Sequence, residues 1–246
     1  MRYFIKLSFN GRQYHGWQVQ ENAPSVQEEL NKALSLLLRE EIKTTGCGRT
    51  DTGVHAKMFF AHIDTAVSFS PDDLMYQLNA ILSRGIAIHS IFAVADDSHA
   101  RFSAITRTYQ YFLHDEKNPF LDGISWFYPH LPDLEKMNAA AKILAEYTDF
   151  SAFSKSHTQT FTNNCKIQSA HWRRIENQFV FEITADRFLR NMVRAIVGTL
   201  LDVGLSKMDE NDFRSVLESK ERSRAGTSVP AHGLFLTDIV YPFISV

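Results

Sequence analysis

With 246 residues, 44% of them hydrophobic, and a formal net charge of −2, the chain can bury a sizeable core as one large domain or two small ones. No apolar run approaches the ~20 residues needed to span a bilayer, and the strand-like RYFIKLSFN has Lys6 inside it and no small-residue cleavage site after it, so a cytoplasmic protein with no membrane partner is expected. The two cysteines, Cys47 and Cys165, show no metal-ligand or redox spacing and read as free thiols.

The elements follow in chain order. Apolar residues alternate from Tyr3 to Phe9, as in a half-buried strand. In SVQEELNKALSLLLRE, Ser25 and Glu28 have capping-box spacing, and Val26, Leu30, Ala33, Leu34, Leu37 and Leu38 share one helix face. After the loop TTGCGRTDTGVHA comes the strand-like MFFAHID. A helix to about Leu82 is announced by Ser70 as N-cap, Pro71 at its first position and Asp72 and Asp73 in its first turn. IAIHSIFAVA is rich in strand formers.

The order then loosely repeats. TRTYQYFLH reads as a strand, DLEKMNAAAKILAEY as a helix, and KIQSAHWRRI with QFVFEITA as a hairpin around Asn177. RFLRNMVRAIVGTLLDVG reads as a helix from Arg187 closed by Gly204, followed by a short acidic helix near 209–220 and a last strand in GLFLTDIVY. The pattern predicts an α+β fold of two similar halves, 1–104 and 105–246, the first with the Asp51 loop and the second with Tyr109 and an arginine-bearing helix.

Several roles are open to Asp51. Asp-Thr-Gly is an aspartic protease signature, but such an enzyme needs an apolar lead-in and a second carboxylate to share the proton, and neither is present. The loop has no Walker or GxGxxG pattern, which excludes a standard phosphate cradle. Asp51 and His55 make only two metal ligands, so no metal is expected. A carboxylate that merely caps a turn stays open at this point.

The net charge argues against nucleic-acid binding unless cations gather locally. They do so in part: Arg49, Lys57, Arg101, Arg107, Arg173, Arg174, Arg187, Arg190 and Arg194 lie near these features, while Asp202, Asp209, Glu210, Asp212, Glu218 and Glu221 gather towards the end. Within a helix from 187 to 204, Arg187, Arg190 and Arg194 would form one row beside a broad apolar face. That row is either a solvated stripe or a set of cations needing an anion such as Asp51 or a phosphate. HARFSAITRTYQYF mixes Arg101 and Arg107 with Tyr109 and Tyr111, which suits a surface that clamps a backbone and stacks on bases.

Taken together, GCGRTDTGVHA, YHGWQVQ, SVQEELNKAL, HARFSAITRTYQY, DFSAF, FLRNMVRAIVGTLLDVG and AGTSVPAHGLFL resemble, in order and over nearly the whole chain, the TruA family of tRNA pseudouridine synthases. The resemblance implies mainly antiparallel sheets flanked by helices, with a shared central RNA-binding cleft. It also implies a cofactor-free isomerisation of uridine at positions 38, 39 or 40 of the tRNA anticodon stem-loop, carried out by a homodimer. Asp51 matches the essential aspartate, Tyr109 the tyrosine that packs on the target base, and Arg194 the arginine that pairs with the carboxylate. Arg49 is expected to hold the flipped nucleotide's phosphate, with Arg101 and Arg190 as further RNA contacts. Thr52 stands where the family usually has alanine, HAKMFFAHID lacks a common glutamine, and ILSRGIAI lacks the usual Pro-x-Asp-Ile turn; these departures bear on fine positioning and substrate range. A catalytically idle RNA-binding protein on the same scaffold is the competing expectation.

Overall fold

The computed structural model describes residues 1–130, 132–155 and 161–244. They form two compact units, one of Met1–Ile105 with Leu236–Val246 and the other of Thr106–Phe235. The sequence reading ran the second half on to residue 246, whereas the stretch from Leu236 belongs with the first unit.

In unit 1 the order is β1 (Arg2–Phe9), α1 (Val26–Leu38), β2 (Thr45–Gly46), β3 (His55–Asp64), α2 (Pro71–Ile81) and β4 (Ile86–Val94). Ser25 accepts the Glu28 N–H, and Ser70 accepts the Asp73 N–H ahead of Pro71, as expected, while the Glu28 carboxylate accepts from Lys32 instead of closing a capping box. β1 is the central strand, antiparallel to both β3 and β4, and the two-residue β2 pairs antiparallel with β3. Tyr3, Ile5, Leu7 and Phe9 are buried as the alternation requires, but Phe4 is buried too. It stands opposite His62 on one side and Phe92 on the other, in ring contact with Phe60, Phe92 and Tyr241. The second face of the strand is therefore covered at Phe4, where Tyr241 from the distant C-terminal stretch packs over it, while Lys6 and Ser8 on that face stay partly exposed.

Unit 2 contains β5 (Thr106–His114), β6 (Trp126–Phe127), α3 (Leu134–Ile143), β7 (Ile167–Ile175), β8 (Gln178–Ala185), α4 (Met192–Gly204) and α5 (Glu210–Ser219). β8 lies between β5 and β7, antiparallel to each, and the hairpin turns at Glu176, whose φ of 52° is left-handed. β6 pairs parallel with β5. α3 packs against β7 and α4, around a core of Tyr111, Phe150, Phe153, Phe181 and Phe213. A last strand, β9 (Leu234–Val240), runs beside β3. The fold is thus α+β, with mainly antiparallel strands flanked by helices.

One element differs from expectation. The helix read from Arg187 begins only at Met192, because Asn191 adopts φ 67° and breaks the right-handed path. Its side chain donates to Ser228 Oγ at 2.6 Å instead of capping the helix. Arg187 and Arg190 therefore lie on the approach to α4, and only Arg194 of the predicted row is on the helix. Among the described residues, no helix is long and apolar enough to cross a membrane.

Candidate active site

The Asp51 loop joins β2 to β3 and is fastened at several points by residues 11–17. The Trp17 N–H donates to Thr50 Oγ1 at 3.0 Å, and the Gly53 N–H to the Tyr14 carbonyl at 3.2 Å. The Gly11 N–H donates to His55 Nδ1 at 3.1 Å, and the Val54 N–H closes a turn on the Asp51 carbonyl at 3.1 Å. The backbone is thus held on both sides of Asp51, whose side chain stays half-exposed. Thr52 beside it is exposed, so its hydroxyl can be satisfied by water.

Such closeness depends on glycines. Gly16 has φ 88°, and a Cβ there would overlap the Thr50 carbonyl; one on Gly11 would overlap the Val54 carbonyl, and one on Gly46 the Trp17 indole. Segment 11–17 is itself anchored, since the Tyr14 hydroxyl donates to Glu29 Oε2 at 2.6 Å and meets Ser83 Oγ at 2.7 Å. Burial, then the Glu29 hydrogen bond, pushes the Tyr14 phenol up to about 12. The sequence reading gave YHGWQVQ no mechanical role; its signal was a glycine two residues after Tyr14 and just before a tryptophan.

The accepting Nδ1 of His55 places its proton on Nε2 and makes the imidazole a buried support of the loop. Among the described residues, no group of three or more His, Cys, Asp or Glu could hold a metal ion. Arg49 is on the same loop, exposed, with no ion pair among the described residues. Arg101, also in unit 1, is exposed with its guanidinium 5.4 Å from the centroid of the Phe102 ring.

Unit 2 holds the other expected residues. Tyr109 on β5 is half-buried, with the Phe188 ring edge-on at 5.1 Å and 88°. Tyr111, two positions on, is core, and its hydroxyl donates to the Pro230 carbonyl at 2.9 Å. Arg194, in the first turn of α4, donates through Nε to the Val229 carbonyl at 2.7 Å, and its own carbonyl accepts the Val229 N–H at 3.2 Å. Gly198 allows this approach, since a Cβ there would overlap the Thr227 carbonyl. Gly226 then donates to Thr199 Oγ1 at 2.9 Å. The stretches FLRNMVRAIVG and AGTSVPA, far apart in sequence, are one assembly around Arg194. Arg190 is exposed, and its carbonyl accepts the Lys155 N–H at 3.1 Å.

The held, half-exposed carboxylate of Asp51 in unit 1 and the half-buried tyrosine ring of Tyr109 in unit 2 are groups that nucleoside chemistry can use. Residues 140–242 match a family profile described as tRNA pseudouridine synthase. The chain is 49% identical over 245 residues to tRNA pseudouridine synthase A of Porphyromonas gingivalis, covering 98% of this chain and 97% of that one. It is 48% identical over 244 residues to the protein of that name from Parabacteroides distasonis, covering 98% and 96%. With that of Bacillus subtilis the identity is 37% over 245 residues, covering 98% and 99%. The chain therefore belongs to the TruA family of tRNA pseudouridine synthases.

Proposed function

We propose that this tRNA pseudouridine synthase isomerises uridine at one or more of positions 38, 39 and 40 of the anticodon stem-loop, with Asp51 as its essential carboxylate. The bond between the sugar and the base nitrogen breaks, the base turns, and carbon 5 is joined to the sugar while its proton leaves. In this reading Arg194 is the guanidinium that serves the carboxylate. Tyr109 packs on the target base and recovers part of the ~1 to 3 kcal/mol that a base–aromatic stack is worth after the uridine leaves its own stack. Arg49 holds the phosphate of the flipped nucleotide, and Arg101 and Arg190 make further RNA contacts. The reaction requires no cofactor, and the working form is a homodimer in the cytoplasm.

The observation that supports this most is the fastening of the Asp51 loop. Main-chain and hydroxyl bonds fix Thr50, Gly53 and Val54, so the carboxylate between them is aimed before substrate arrives, and its orientation costs little entropy in the reaction. A turn cap would not require three close glycine contacts behind it.

The test replaces Asp51 with asparagine and measures tritium release from tRNA labelled at uridine carbon 5, the atom that exchanges its hydrogen for the sugar. Turnover should fall by about 10⁴-fold or more while the fold persists. Full activity in Asp51→Asn would sink the assignment and favour another group as the catalyst.

A further inference from the structure

Phe102 is 75% exposed, yet the loop that presents it is pinned from several directions. His99 Nδ1 accepts the N–H groups of both Arg101 and Phe102, at 3.0 and 3.3 Å. The Ser103 N–H returns to the His99 carbonyl, and Ser103 Oγ accepts the His99 N–H, each at 2.9 Å. His62 Nδ1 accepts the Ala100 N–H at 3.1 Å, the Tyr241 hydroxyl donates to the Ala100 carbonyl, and the Arg2 guanidinium donates to the Ser98 carbonyl at 2.9 Å. This is a rigid mount for an apolar ring left facing water.

The ring also ends a ladder. His62 is buried and meets His99 edge-on at 4.7 Å; His99 meets Phe102 at 4.4 Å and 37°. Arg101 places its guanidinium 5.4 Å from the centroid of that terminal ring. Isolated exposed apolar side chains are ordinary on protein surfaces and need no function. What distinguishes Phe102 is the combination of fixed backbone, a tilted imidazole against the ring and a guanidinium over it, which together cut the entropy cost of receiving a planar, negatively charged ligand.

We propose that Phe102, with Arg101, is a stacking platform for an unpaired nucleobase of the bound RNA other than the target uridine assigned to Tyr109. The inference rests on the RNA-modifying reading above. The base takes the place of the Arg101 guanidinium over the ring, and Arg101 turns to a neighbouring phosphate. Recognition of this kind is tolerant of base identity, because every base offers a π face.

The experiment measures binding of labelled, unmodified anticodon stem-loop RNA at one fixed salt concentration by fluorescence anisotropy, comparing the wild type with Phe102→Leu and Phe102→Trp. Phe102→Leu keeps the bulk but loses the π face. It should weaken binding by about tenfold, on the scale of one base–aromatic stack, with Tm unchanged. Phe102→Trp should bind as tightly as the wild type or more so, and a fully paired RNA of similar length should not distinguish the three proteins. Equal affinity of Phe102→Leu and wild type for the stem-loop overturns the platform and leaves the Asp51 assignment, which is read from isomerisation, standing. A loss shared equally by the fully paired RNA also overturns it. A wild type that binds neither RNA overturns both readings.

Discussion

Arg194 is a side chain whose orientation is set by the backbone it meets. One guanidinium N–H is committed to the Val229 carbonyl at 2.7 Å, so the orientation of the planar group is set by the backbone beneath it. Lysine has a point charge on a flexible stem and no counterpart to Nε, so it cannot keep this anchor and also present a forked donor. Arg194→Lys should therefore lower kcat by about 10²-fold, the scale on which one preorganised donor is missed, with a smaller effect on tRNA affinity. Single-turnover rates and binding constants measured side by side check this, and wild-type turnover in Arg194→Lys would reduce the residue to a generic cation. The spacing in RFLRNMVR offered Arg194 together with Arg187 and Arg190 as one helical row. The positive φ of Asn191 separates them, and nothing in a single sequence distinguishes an asparagine that continues a helix from one that breaks it.

At the scale of elements, the Asp51 loop and segment 11–17 act as one unit although neither has regular structure beyond a short turn. Gly16 at φ 88° lies against the Thr50 carbonyl, so a methyl group there meets both a conformational penalty and a steric one. Gly16→Ala should cost more than about 1 kcal/mol of stability. Its effect on kcat should exceed what that loss explains, since the displaced atom is one residue from Asp51. Urea midpoints paired with turnover at a temperature where the variant is fully folded separate the two effects. Most strand and helix positions in both units were legible beforehand, because alternation, capping residues and Pro71 act locally. The short strands β2 and β6 were not, since two residues carry no period.

For the whole molecule, His62 ties β3 to the aromatic face of β1 and to the loop of Phe102, so its protonation state concerns all of unit 1. Burial, with Arg2 and then His99 nearby, brings its imidazole down to about 4 from the ordinary 6.5, against a weaker opposing pull from Asp64. His99 is lowered as well, first by burial and then by Arg2. The folded state thus holds His62 neutral, while the unfolded chain takes up a proton below pH 6.5. Its contribution is intact above that pH and is lost as the pH falls from 6.5 towards 4. The wild type should lose stability across this window more steeply than His62→Gln, which has no titrating ring. Denaturant midpoints taken at half-unit pH steps check this, and parallel slopes for the two proteins would show that other groups set the acid limit.

What the sequence determined by itself were the things local chemistry decides: α+β character, the caps of α1 and α2, the strands of both units, and the candidate residues Asp51, Arg49, Arg101, Tyr109, Arg190 and Arg194. Only the tertiary structure decided where α4 begins, why Phe4 on the second face of β1 is buried, and that Leu236–Val246 joins the first unit. It alone also showed that the Gly11–Trp17 segment holds the Asp51 loop and that the 227–229 stretch holds Arg194. Periodicity and caps depend on neighbours within a turn or two of chain. Close approaches such as Gly16 to Thr50 or Gly198 to Thr227 join residues about thirty positions apart, and a contact at that separation leaves no period in the chain, only glycines whose reason appears once the backbones meet.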